Sequence, residues 1–386
     1  MAYRYHEKEG DDEKMKKWLW CMILLVLLLY GCAQTNILER IGLTTLIGYD
    51  VGKEKKMQTT AVIREVNPEF QSKVDVITTE DNTSKGNRME VNRRVSKKVM
   101  IGQMRVILFG EALAEEGLHY YIDASLENAS VNNGVYTAIV KDQVAPLLEY
   151  DYQNIEDIGQ HIYRLLEQNI QQEYMISSML HEVGRDYYAV GRDMAMPIIE
   201  KEEELIKLSG IALFKDGKMV STLPPPDSFY VKVIRDTFKS GIYETTLQSE
   251  DLPSILQKKT DDTMTVAFDA IRSKRTMTLV DAKNPEFDLT IKLKARVLEV
   301  SPSFDQSHRK SVEALEKAIQ HKLTKELARV IAHSQKVESD VFGFGEEYRS
   351  HVRHAELTKE KWHSLYKNMK VNIHVDFVIL RNGVFE

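Results

Sequence analysis

Between Met15 and Cys32 the chain reads MKKWLWCMILLVLLLYGC, two lysines followed by thirteen apolar residues from Trp18 to Tyr30. A basic stretch ahead of an apolar core is the layout of a secretory signal. As a helix the apolar run rises about 1.5 Å per residue, roughly 20 Å in all, against a hydrocarbon core of roughly 30 Å. It is too short to span comfortably. The stretch therefore reads as a delivery segment, and everything after it has to fold outside a membrane. Residues 1–14 carry five acids against three bases, unlike a basic n-region, so Met15 is the expected start.

The small Gly31 before Cys32, with Leu29 three positions ahead of the cysteine, resembles the lipobox of bacterial lipoproteins. The resemblance implies a diacylglyceryl group on Cys32, which becomes the first residue of the mature chain. A plain secretory signal or an uncleaved anchor is the alternative. The chain has two cysteines, Cys21 and Cys32, so the part after Cys32 contains neither disulfide nor thiolate chemistry and must be held by core burial. No later apolar run approaches membrane-spanning length. A formal net charge of -6 gives no broad basic footprint, which argues against a nucleic-acid partner.

Ile41–Tyr49 and Met57–Val66 are apolar and β-prone around the turn residues Asp50-Val51-Gly52-Lys53, which predicts a hairpin, with Asn67-Pro68 stopping its second strand. Apolar spacing predicts helices over Met89–Met100, from Glu111 through Gly117 with His119–Leu126 as a candidate continuation, over Ile155–Ile170 and near Met175–Val183. Strands are expected at Arg105–Phe109 and Val135–Val140. Ile211–Phe214 and Met219–Leu223 flank Lys215-Asp216-Gly217-Lys218, a tight-hairpin signal. Thr263–Ile271, Thr276–Val280 and Phe287–Val300 read as an antiparallel meander. A long helix with Val312, Leu315, Ile319, Leu323, Leu327 and Val330 on one face follows, with Ser307 as its cap, and Val371–Leu380 is a final strand. The fold class is α+β with two to three domains and helices packed on mixed sheets. The expected division is 1–31 (removed extension and signal), 32–199 (α/β type), 200–260 (a middle domain or junction with the hairpin) and 261–386 (α+β).

Signals for catalysis are weak. His351 and His354 are three apart, a spacing that alone does not make a zinc site, and His181-Glu182 has no second histidine four residues on. Phe342-Gly343-Phe344-Gly345 lacks the Lys-Ser/Thr ending of a phosphate loop. It reads instead as a tight turn packing two rings and, with Trp362, as a structural or partner-contact motif. Arg93-Arg94 and Lys97-Lys98 could face anionic headgroups but read better as a solvated helix face. Glu202-Glu203-Glu204 likewise reads as exposed charge. No enzyme activity, cofactor or metal is expected.

The lipobox at Cys32, GQMRVILFGEALAEEGL (Gly102–Leu118), LSGIALFKDGKMV (Leu208–Val220), and SDVFGFGEEY (Ser339–Tyr348) with Trp362 and VNIHVDFVILRNG (Val371–Gly383) together resemble the Ger(x)C family of spore-germination lipoproteins. The resemblance implies a three-domain α+β subunit without enzymatic activity, lipid-anchored on the outer face of the spore inner membrane. It would act there with an integral-membrane A-type subunit and a transporter-like B-type subunit of a nutrient germinant receptor. The chain departs from the usual pattern at Ala33-Gln34-Thr35, at Gln103 and over Leu126-Glu127-Asn128-Ala129, positions where a partner surface would have diverged. A solute-binding lipoprotein of an importer is the competing reading.

Overall fold

The computed structural model describes residues 15, 17–20, 22, 41–65, 73–256, 263–301, 308–354 and 356–380. The expected lipidation of Cys32, the stop at Asn67-Pro68 and the cap at Ser307 lie outside the described residues. At the N-terminus, residues 15, 17–20 and 22 are helical and exposed. From Gly42 to Glu386 the chain forms one compact unit built on two sheets.

Strands without polar alternation should be covered on both faces, and the first sheet shows this at its centre. β5 (Val106–Gly110) and β6 (Tyr136–Val140) are buried at every residue. They lie parallel to one another, to β1 (Ile41–Val51) and to β7 (Ala195–Glu202). Antiparallel strands β2 (Met57–Glu65) and β3 (Lys73–Asp81) extend one side, β8 (Leu205–Lys215) and β9 (Lys218–Leu223) extend the other, and the short β4 (Lys98–Met100) pairs with β1. Helices α2 (Glu111–Glu116), α3 (His119–Leu126) and α6 (Leu180–Tyr188) cover one face around Ile107, Phe109 and Phe214. Helices α4 (Val144–Glu149) and α5 (Ile158–Gln171) cover the other around Leu46, Leu108 and Ile162.

Several sequence expectations are corrected here. The helix expected at Met89–Met100 is α1, Ser84–Arg94, because Thr83 caps it by accepting the Gly86 N–H, and Val99 then enters β4. The helix expected from Glu111 ends at Glu116, with Gly117 as its cap at φ +129°, and His119–Leu126 is a separate helix rather than its continuation. The helix near Met175 starts at Leu180, because Glu182 accepts the Met179 N–H and fixes that end.

The second sheet has the order β10-β11-β12-β13: Tyr243–Gln248, Thr263–Asp281, Glu286–Ser301 and Lys370–Ile379. Thr263–Ile271 and Thr276–Val280, expected as two strands, are one. Arg272-Ser273-Lys274-Arg275 contains no Gly, Pro, Asn or Asp, and the alternation carries Ile271, Ser273 and Met277 to the buried face. β13 returns parallel to β12 after α8 (Arg309–Lys336), whose Leu315, Ile319, Leu323 and Leu327 seal the inner face. The stretch expected as a middle domain or junction, 200–260, contributes to both sheets. Its hairpin β8–β9 completes the first sheet and β10 opens the second, with α7 (Ser228–Arg235) buried between them. Among the described residues no helix is long and apolar enough to cross a membrane.

Candidate functional site

Where α8 ends, Glu338 takes a positive φ and the chain enters SDVFGFGE, which leads into α9 (Phe344–His351). Asp340 organises this turn. One carboxylate oxygen accepts the Gly343 N–H at 2.8 Å, and the other accepts the Gly345 N–H at 2.8 Å and the Trp362 indole N–H at 2.9 Å. Gly343 sits at φ +84°, a region open to glycine and expensive for other residues. The turn aims Phe342 and Phe344 inward, where Phe344 meets Phe287 at 5.3 Å and Phe342 at 6.2 Å, both edge to face. Phe342, Phe344 and Trp362 are fully buried. The structure thus brings together all five residues marked by sequence, and it leaves their rings no exposed surface for a partner.

The same turn docks onto the first sheet. The Asp340 N–H donates to Asp193 at 2.8 Å, and the Asp193 N–H donates back to the Asp340 carbonyl at 2.8 Å. His363, in α10 (Lys359–Tyr366), places Nε2 2.9 Å from Asp193 and Nδ1 3.5 Å from Asp216 in the β8–β9 turn. The Ser339 hydroxyl donates to the Phe214 carbonyl of β8, and Arg235 of α7 reaches both the Val341 carbonyl and Asp186. Gly191 and Gly345 touch backbone to backbone: a Cβ on Gly345 would lie 2.5 Å from the Gly191 Cα and 2.6 Å from the Trp362 ring. Glu338 holds Lys215 at 2.7 Å and Lys367 at 2.9 Å.

Burial raises the Asp340 carboxyl to about 6, and its three donors only partly oppose that. Burial alone would lower His363, but the Asp193 hydrogen bond and the charges of Asp193 and Asp216 carry it above its ordinary value. At Glu338, Lys215 and Lys367 hold the carboxyl down at about 2. Chemically the centre of the cluster, Asp340 with Asp193, Trp362 and His363, is a hydrogen-bonded clasp buried away from solvent. It fixes how the C-terminal sheet and its helices sit on the N-terminal sheet.

A second feature lies outside the carboxyl ends of β5, β6 and β7, where open α/β sheets commonly bind ligands. The surface groove there encloses about 760 Å³ beside Glu111, Lys141, Asp142, Tyr150 and Glu200. Both of its lysines are engaged within it: Lys141 pairs with Glu200 at 2.9 Å, and Lys201 lies 3.5 Å from the centre of the Tyr150 ring. The amide groups opening α4, which would greet an anion, are taken by Asp50, whose carboxylate accepts from Val144 at 2.8 Å and Ala145 at 2.9 Å.

His351 and His354 are exposed, and no group of three or more metal-ligating side chains occurs among the described residues. Glu200, beside the run Glu202-Glu203-Glu204, is braced by Lys141 and Lys207. Arg93 pairs with Glu90 along α1. Sequence reading missed Asp340, Asp193 and His363. An Asp three residues before a turn glycine was a signal for the first, whereas nothing local marks the other two.

Two family models match the chain. One, described as "Spore germination protein N-terminal domain", covers residues 34–201, and the other, "Spore germination B3/ GerAC like, C-terminal", covers residues 209–383. The chain belongs to the Ger(x)C family. The spore germination protein GerQC of Bacillus cereus is 28% identical over 379 residues, spanning 96% of this chain and 100% of its own. The putative spore germination protein YfkR of Bacillus subtilis (strain 168) is 20% identical over 304 residues, 75% of this chain and 74% of its own. The crystal structure of the GerBC protein superposes with a TM-score of 0.54 over 87% of this chain and 97% of that one, at 14% identity, so the Ger(x)C α+β fold is shared. The second family model begins inside β8, although that strand hydrogen-bonds into the first sheet.

Proposed function

We propose that this chain is the C subunit of a spore nutrient germinant receptor. On this reading a diacylglyceryl group on Cys32 holds a non-enzymatic ectodomain at the outer face of the spore inner membrane, where it works by contact with integral-membrane A-type and B-type subunits. The observation that carries the reading is the likeness to the spore germination protein GerQC over 96% of this chain and 100% of that one. A tether supports such a role physically, because it replaces three-dimensional search with a high local concentration beside the partners. The clasp supports it too, since a receptor subunit that acts by contact must hold a fixed shape.

The importer alternative calls for two similar α/β lobes around a cleft. Here one sheet has a parallel centre covered on both faces, and the other has four strands sealed by α8. Purification of the tagged chain from spore membranes should recover the two membrane subunits by mass spectrometry. Recovery of the chain alone, together with normal germination to every nutrient in a clean deletion with no paralogue expressed, overturns the reading.

A further inference from the structure

β11 and β12 bury one side chain in two, so the alternate positions are forced outward together. Ser273, Leu293 and Ala295 point into the core, while Arg272, Lys274, Lys292 and Lys294 are all exposed. The register sets Arg272 directly opposite Lys294 and Lys274 directly opposite Lys292. Like charges facing each other across an antiparallel ladder, about 5 Å apart at Cβ, are destabilising. None of the four makes an ion pair or hydrogen bond among the described residues, whereas Arg296, the next outward cation on β12, is clamped by Asp269 at 2.7 Å. Carboxylates share this face as well: Asp376 in register with Lys292, Glu286 and Asp288 both held by Asn372, and Asp269 on Arg296.

We propose that this face of the second sheet docks on the anionic headgroups of a bilayer. The fold keeps two repulsive pairs, and none of the four cations reaches a carboxylate within ion-pairing distance among the described residues, which suits an external source of negative charge. Its exposed positions, with Thr276, His374, Asp376 and Val378 beside the four cations, include no Phe, Tyr or Trp of the kind that anchors a protein interface. It offers no Phe, Tyr or Trp ring on which a nucleic-acid base could stack. Headgroups diffuse laterally and can gather under fixed cations without shape complementarity, so charge alone suffices for them. The setting rests on the membrane-tethered reading above, and the test separates the two.

The full chain is reconstituted in vesicles of phosphatidylcholine, with or without phosphatidylglycerol, and lysine reactivity toward an amine-directed reagent is read by mass spectrometry. Lys274, Lys292 and Lys294 should react several-fold more slowly on the anionic vesicles, with the difference abolished near 1 M salt, where the Debye length is about 3 Å. Lys98 should react equally on both. In K292Q the protection of Lys274 and Lys294 should shrink while the melting temperature stays level or rises, since a repulsive pair has been removed. Equal reactivity on both vesicles overturns the proposal. So does equal protection on both, which would indicate a second copy of the chain, and so does protection by soluble polyglutamate but not by anionic vesicles, which would indicate an acidic protein. Flotation with the neutral vesicles reads the tether by itself and can fail independently.

Discussion

Asp340 accepts three hydrogen bonds with two oxygens at a place without solvent, so its neighbours have no alternative partner. Asp340→Asn keeps the volume but turns an NH2 toward a donor, and should lower stability by about 3 kcal/mol. Chemical denaturation measures it, and a change below about 0.5 kcal/mol, the size of an ordinary surface substitution, would show the clasp to be redundant. Asp340 and His363 are both shifted upward. The folded chain therefore holds more protons than the unfolded chain between about pH 4 and 6 at Asp340, and above about 6.5 at His363. Stability contributed by these groups is complete on the acidic side and is lost as pH rises through each folded value. Melting temperature should accordingly fall from pH 5 to 8, with a smaller fall above about pH 6.5 in H363Q. A profile for H363Q parallel to that of the parent removes the histidine as a cause.

At the scale of elements, the contact of the 190s loop with the start of α9 depends on two missing side chains. A Cβ on Gly191 would lie 2.1 Å from the Gly345 carbonyl carbon, backbone that cannot swing aside. Gly191→Ala should lower stability by about 1–3 kcal/mol, the usual range for overpacking, and raise proteolysis between the two sheets. Leu323→Ala, on the buried stripe of α8, should remove about 2–5 kcal/mol by opening a cavity against the second sheet. An unfolding midpoint unmoved by either change would contradict this packing. The α8 stripe could be read from its spacing, because burial on one face writes a periodicity into a helix. The limits of α1 and α6 could not, because side-chain caps set them.

At the scale of the molecule, two unlike sheets are joined by a turn far away in sequence from the strand it grips. Cys32→Ala should shift the chain from the membrane fraction to the soluble one and abolish incorporation of labelled fatty acid. A substituted chain that stays membrane-bound as before, paired with a parent chain that takes up no label, refutes the lipid anchor. The family models divide the chain between 201 and 209, yet hydrogen bonding carries β8 and β9 into the first sheet. Homology and hydrogen bonding thus draw the boundary in different places.

The residues alone determined the strand-rich second half, the long helix with its apolar stripe, the Asp-Gly hairpin and the closeness to Ger(x)C proteins. Each of these is written locally, in periodicity, in turn chemistry or in a contiguous motif. Tertiary structure alone decided that the last strand runs parallel to β12, that the hairpin joins the first sheet and that the FGFG turn is a buried clasp rather than a surface. It also decided that four cations share one outward face. These outcomes depend on which distant segments meet, through Asp193 with His363 and Arg272 with Lys294, and such pairings leave no trace in the spacing of either partner's neighbours.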